Sequence, residues 1–166
     1  MLSTIAEDQF LFQKINFKNR ISNKEILYYN YFYRKTKIYP KFVFISGKFI
    51  LFFVSSKYFR RARFFLRIIR KELSNNKIII IKYSNIFGKL LENLFPDLKI
   101  SDIELNNNYN KEIIEIIVIF STYKERGIAI GTNGLYIKMV NEFVNNHINL
   151  ENYRGKIKII CHSLSY

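Results

Sequence analysis

Cysteine occurs once in this 166-residue chain, histidine twice, and aspartate plus glutamate together number only 13. With Cys161 alone, no intramolecular disulfide and no cysteine-based zinc cluster can form, so a reducing compartment is the default. His147 and His162 are too few and too scattered to suggest a metal site. The start, Met1-Leu-Ser-Thr-Ile-Ala-Glu-Asp-Gln, carries acids early and lacks the basic region and apolar run of a secretory signal. The apolar stretch 42–54 is broken by Ser46, Gly47 and Lys48, which suits a pair of strands and is too short to span a bilayer. Paired carboxylates in a glycine-rich setting are missing, as are Ser-His-Asp and Cys-His arrangements. These absences lead us to expect a protein that is not an enzyme, needs no metal or cofactor, and does not enter a membrane.

What is abundant points elsewhere. Hydrophobic residues make up 49% of the chain, enough for a packed core. Lysine plus arginine number 27, giving a net charge of +14 and a pI near 9.8. That excess puts nucleic acid first among partners and an acidic membrane surface second. An AT-rich coding bias would inflate Lys, Asn, Ile, Tyr and Phe, but it does not account for the shortage of acids.

Residues 1–20 show no clear period and read as an N-terminal extension. Ser22 and Glu25 form a capping-box pair ahead of a helix over 23–34. A strand over 37–45 contains Pro40, Gly47 turns the chain, and 49–54 is a continuous apolar strand. Residues 55–63 are short and basic and read as a turn of helix plus loop. A helix over 64–73 and a strand over 77–83 follow. The same order then recurs: helix 85–95 ending at Pro96, strand 99–105, turn 106–110, strand 113–120, short helix 122–130, helix 135–147, loop 149–155 and strand 156–161. Shifted by 71 residues, Leu66 falls on Ile137, Ile69 on Val140 and Leu73 on Val144. A period this long fits two sibling domains, joined only by Ser84-Asn85.

The motif that carries chemistry is Gly127-Ile-Ala-Ile-Gly131-Thr-Asn-Gly134-Leu-Tyr-Ile137. It follows an apolar strand and opens an amphipathic helix. Two glycines separated by two residues let a backbone approach a bulky anion, and helix N-termini suit phosphate. No Gly-Lys-Ser/Thr follows, which excludes a P-loop.

Strand, short helix, Gly-x-x-Gly, helix, strand in a basic chain resembles the KH domain, whose loop clamps the backbone of about four unpaired nucleotides. With a helix and strand placed first, the order resembles the type II variant. The first copy resembles it in layout only, because Arg60-Arg61-Ala62-Arg63 registers with Gly131-Thr132-Asn133-Gly134. Two such copies with a tiny linker look like the NusA family of transcription elongation and termination factors. Lys77–Lys82 running into Tyr83-Ser84, then Lys99-Ile-Ser-Asp-Ile-Glu104, resembles the stretch joining the KH units there. Glu125 to Lys138 resembles the second KH loop, particularly of short archaeal-type members.

The resemblance implies an α+β fold of two tandem type II KH domains, each a three-stranded sheet packed by three helices. Its domains would be a 1–20 extension, a degenerate KH unit over 21–84, and a KH unit with its loop over 85–166. It implies single-stranded RNA as ligand, with RNA polymerase or the ribosome as further partners. It places the protein in the cytoplasm or in the stroma or matrix of an AT-rich organelle. The expected contacts are Gly131, Thr132, Asn133 and Gly134 in the loop. Lys124, Arg126 and Lys138 would neutralise phosphates, Ile128, Ile130 and Ile117 would form an apolar groove floor, and Tyr136 would stack on a base. In the first copy, Arg60, Arg61 and Arg63 would contact phosphates. The alternative is a KH-bearing structural protein of the small ribosomal subunit, whose KH sequence also has an Ile-Ser-x-Ile-Glu strand like residues 100–104.

Overall fold

The computed structural model describes residues 2–18, 21–107 and 112–164, with side chains described from residue 7 onward and residue 107 excepted. Residues 108–110 of the predicted turn lie outside these. The chain forms two compact units: Asn19–Ser84, and a discontinuous one combining Met1–Lys18 with Asn85–Tyr166. Of the expected N-terminal extension over 1–20, residues 1–18 therefore belong to the unit that also contains residues 85–166. The other unit is inserted between its two pieces.

In the inserted unit, α2 (Asn23–Thr36) begins as its sequence dictates. Glu25 N–H donates to Ser22 Oγ at 3.3 Å, and Ser22 N–H donates back to the Glu25 carboxylate at 2.7 Å. Strands β2 (Phe42–Ser46) and β3 (Phe49–Val54) pair as an antiparallel hairpin across Gly47, whose φ of 55° sits in the left-handed region. Pro40 precedes β2 and does not interrupt it. Two helices follow, α3 (Ser56–Arg63) and α4 (Leu66–Glu72), and then β4 (Lys77–Lys82) runs parallel to β3 at the other edge of a three-stranded sheet ordered β2-β3-β4. One sheet face and the three helices share a core of Phe32, Ile50, Phe52, Val54, Ala62, Ile69, Ile78 and Ile80. The Phe32 and Phe52 rings stack with centroids 4.5 Å apart. Each of the Phe, Ile and Val side chains contributes about 1.5–3 kcal/mol by leaving water. Residues 56–63 are thus a full two-turn helix, where a turn of helix and a loop were expected. Ala62 is the residue that faces the core, with Phe59 partly buried against it.

The discontinuous unit repeats the order helix, strand, strand, helix, helix, strand. Its elements are α5 (Phe87–Asn93), β5 (Ile100–Asn107), β6 (Ile113–Phe120), α6 (Tyr123–Ile130), α7 (Leu135–His147) and β8 (Lys156–Ser163). The sheet order is β5-β6-β8, with β6 antiparallel to β5 and parallel to β8. Two additions come from the N-terminal piece. Strand β1 (Ile15–Phe17) pairs with β7 (Ile148–Leu150), aligning Ile15 with Leu150. Helix α1 (Leu2–Phe12) lies on α5, with the Phe10 ring edge-on to Phe87 and Tyr153 at 5.7 and 5.5 Å. A Cβ on Gly88 would sit 3.0 Å from the Leu11 carbonyl oxygen, so glycine there lets the helices close up. Asn152 N–H donates to Gln13 Oε1 at 3.0 Å, and Lys18 N–H to the His147 carbonyl at 2.8 Å. Both units are α+β with mixed sheets. No described helix is long and apolar enough to cross a membrane.

Candidate nucleic-acid interface

The glycine loop lies between two helices that pack on β6 and β8. Thr122 caps α6 by accepting the Glu125 N–H at 3.1 Å. The Glu125 carboxylate in turn accepts the Lys99 N–H at 3.0 Å, tying the start of α6 to the sheet. Ala129 is buried and orients α6, so Lys124 and Ile128, one turn apart, face outward and lead into the loop.

The two loop glycines serve different ends. Gly131 has φ 77° and ψ 171°, a region closed to other residues. A Cβ there would lie 2.8 Å from the Tyr136 Cβ. Gly131 therefore closes the turn against the first residues of α7. Gly134 is left-handed, with φ 70° and ψ 15°, and a Cβ there would meet nothing within 4 Å. Thr132 and Asn133 form the exposed apex, Asn133 also left-handed with φ 54°. The Gly131, Gly134 and Leu135 amides donate to the Gly127, Gly131 and Thr132 carbonyls. No backbone acceptor takes the Thr132 or Asn133 N–H among the described residues. Gly134, at the N-cap of α7, supplies no capping side chain. Successive amides without backbone acceptors, at a right- to left-handed step, suit an anion, and the positive end of α7 adds to it.

Of the side chains expected around the loop, Lys124, Ile128 and Lys138 are exposed, and Ile130 and Ile117 are half-buried. Arg126 and Tyr136 differ from expectation. The Arg126 Nε–H donates to the Cys161 carbonyl at 3.0 Å, bracing α6 against β8, and its guanidinium lies 5.7 Å from the Tyr123 ring centre. The Tyr136 hydroxyl donates to the Leu94 carbonyl, and its ring packs edge-on to Phe95 at 5.9 Å. Burial drives its phenol well above the ordinary value. Tyr136 is thus committed inward and does not serve as a stacking platform. The aromatic presented to solvent is Tyr123, 76% exposed, with Ile128 and Leu135 also outward. Tyr123 escaped sequence reasoning, although its place just after the Thr122 cap, before α6 has a buried face, marks it as outward.

The edge of β8 is closed. Asn141 Oδ1 accepts the Ile159 N–H at 2.8 Å, and its Nδ2 donates to the Ile159 carbonyl at 3.1 Å. Asn145, one turn on, does the same to Ile157 at 2.9 and 2.8 Å. Side-chain amides thereby satisfy backbone groups that an edge strand leaves open.

Among its described residues, the inserted unit has no such loop. Arg60, Arg61 and Arg63 lie in the last turn of α3, and the chain turns at Phe64-Phe65, with Phe64 right-handed throughout. The register of arginines on glycines read from sequence is therefore displaced: the arginines are helical and the turn follows them.

No protein-family model matches this sequence, and no curated protein does. Five chains among solved structures match. One, the crystal structure of APE1850, is 20% identical, with a TM-score of 0.61, covering 86% of this chain and 100% of that one. This likeness shows a shared fold and nothing more.

Proposed function

We propose that this chain is a non-enzymatic, single-strand RNA-binding protein of tandem type II KH architecture, a transcription elongation or termination factor of NusA type. The observation that carries the reading is the apex of the α6–α7 turn. There, the Thr132 and Asn133 amides have no backbone acceptor among the described residues, in an exposed apex beside open space at Gly134, which brings no capping side chain to the start of α7. Such a site holds phosphate through backbone donors, independent of sequence. Lys124 and Lys138 supply charge at its margin, and Ile128, Leu135 and Tyr123 offer apolar surface for unpaired bases. The inserted unit repeats the order of elements without the loop and is a degenerate copy. Polymerase is the expected protein partner.

The test is fluorescence anisotropy of short labelled RNAs at several salt concentrations. Contacts to about four phosphates predict a slope of log affinity on log salt near −3 for a single strand. A single strand should outcompete a duplex of the same sequence. A preference for duplex, or binding indifferent to salt, would contradict the proposal.

A further inference from the structure

Arginine is distributed unevenly. Five of the nine arginines fall within residues 60–70. A coding bias that inflates lysine does not gather arginine in one eleven-residue window. From Ser56 to Glu72 there are seven cations, Lys57, Arg60, Arg61, Arg63, Arg67, Arg70 and Lys71, against one acid. That acid, Glu72, is already engaged by Lys35 and Tyr31. No carboxylate pairs with Arg60, Arg61 or Arg67 among the described residues. Arg70 is taken up structurally, its guanidinium donating to the Ile78 carbonyl at 3.1 and 3.2 Å.

Aromatic rings are interleaved with this charge. The Arg61 guanidinium lies 5.1 Å from the Tyr58 ring centre and the Lys57 ammonium 5.4 Å from it. Phe64, at the turn between α3 and α4, is 79% exposed, and Ile68, four residues on, is 49% exposed. A large ring held in water at the apex of a helical hairpin costs free energy, and the core does not need it. Ala62, Ile69 and the partly buried Phe59, Phe65 and Leu66 already fill that role.

We propose that the α3–α4 hairpin is a second single-strand nucleic-acid site, in which Arg60, Arg61 and Arg67 hold phosphates while Tyr58 and Phe64 stack on bases. The inference rests on the RNA-binding reading for its class of ligand and on different residues for its chemistry. Guanidinium pairs with phosphate in a fork and also stacks. Exposed rings take any base whose face is free, which favours unpaired strands over duplex. The complementary charge of a polyanion fits a surface with seven cations and one acid. Each unit then grips a strand by its own chemistry: one by bare amides, the other by side chains.

The experiment exploits the lack of tryptophan. Full-length protein carrying Phe64→Trp and Gly134→Asp has one emitter, and a carboxylate at the α6–α7 loop. It is titrated with oligouridylate, with inorganic polyphosphate, and with anionic phospholipid vesicles. Stacking predicts that oligouridylate quenches the emission and that polyphosphate binds without quenching. Adding Arg60→Glu and Arg61→Glu should weaken oligouridylate binding at least roughly tenfold. It should also flatten the salt slope by about 1.4, the value for two phosphates on a single strand. Absence of quenching by the oligonucleotide, equal quenching by polyphosphate, or tighter binding to vesicles would overturn the proposal. The two sites are separable in a chain with Phe64 intact. If Gly134→Asp leaves affinity unchanged while the arginine changes lower it, the hairpin site stands and the loop reading falls. The opposite pattern overturns the hairpin site alone.

Discussion

Asn141 grips Ile159 by both of its backbone polar groups, accepting the N–H at 2.8 Å and donating to the carbonyl at 3.1 Å. With Asn145 doing the same at Ile157, helix α7 substitutes for the strand that would otherwise lie beside β8. The spacing makes this possible, because one helical turn of about 5.4 Å nearly matches two strand residues at about 3.3 Å each. Arg70 performs a reduced version in the inserted unit, donating to the Ile78 carbonyl alone.

Asn141→Asp removes the donor while keeping the size, so the Ile159 carbonyl then faces a carboxylate. The change should lower stability by about 1–3 kcal/mol, read as a shift of the urea midpoint. Asn141→Leu should cost a similar amount, since it leaves both Ile159 groups open. Stability unchanged by either would show that water satisfies the β8 edge equally well.

Gly131 and Gly134 should respond differently to substitution. Gly131→Ala puts a methyl 2.8 Å from the Tyr136 Cβ at a backbone angle closed to alanine, so a loss of about 1–3 kcal/mol is expected. Gly134→Asn keeps a left-handed residue in open space and should cost less than about 1 kcal/mol. Thermal denaturation of the two variants side by side checks the ordering.

Tyr136→Phe separates packing from recognition. It removes the hydroxyl that satisfies the Leu94 carbonyl and should destabilise by about 1 kcal/mol. RNA affinity should stay the same, because the ring faces inward. Lost affinity at unchanged stability would place Tyr136 in the interface after all.

The Cys161 thiol is buried, which pushes its pKa up to about 12, with Arg126 pulling the other way. A thiol raised in the fold favours the neutral form. Its contribution to stability is therefore complete below the ordinary thiol range and is lost as pH climbs toward about 12. At pH 8 the folded chain should resist iodoacetamide, and the urea-unfolded chain should alkylate readily. Mass spectrometry of the two states decides it, and rapid alkylation of the folded chain would contradict the burial.

The sequence made the regular elements legible wherever a pattern was local. The all-apolar runs at Phe49–Val54 and Ile113–Phe120, the Ser22–Glu25 capping box and the Leu135–His147 periodicity each correspond to observed elements. What escaped was non-local or disguised. Strands β1 and β7 have three residues each and depend on a partner about 135 positions away, which no window of sequence can display. Helix α3 was hidden because cations fill its exposed face, leaving Ala62 and Phe59 as the inward signal. At the site, the Gly-x-x-Gly loop was legible from its glycines. The inward turn of Tyr136 and the tie from Arg126 to Cys161 were not, since both depend on backbone carbonyls brought up from other elements.

The most direct test of the loop is Gly134→Asp with Gly131 left intact. Asp tolerates the left-handed conformation, and its side chain enters open space, so circular dichroism should match the parent. A negative charge beside the apex amides should repel phosphate and lower affinity for a short single-stranded RNA at least roughly tenfold, a loss of about 1.4 kcal/mol. A folded Gly134→Asp protein that binds RNA as tightly as the parent would show that the exposed Thr132 and Asn133 amides hold no strand.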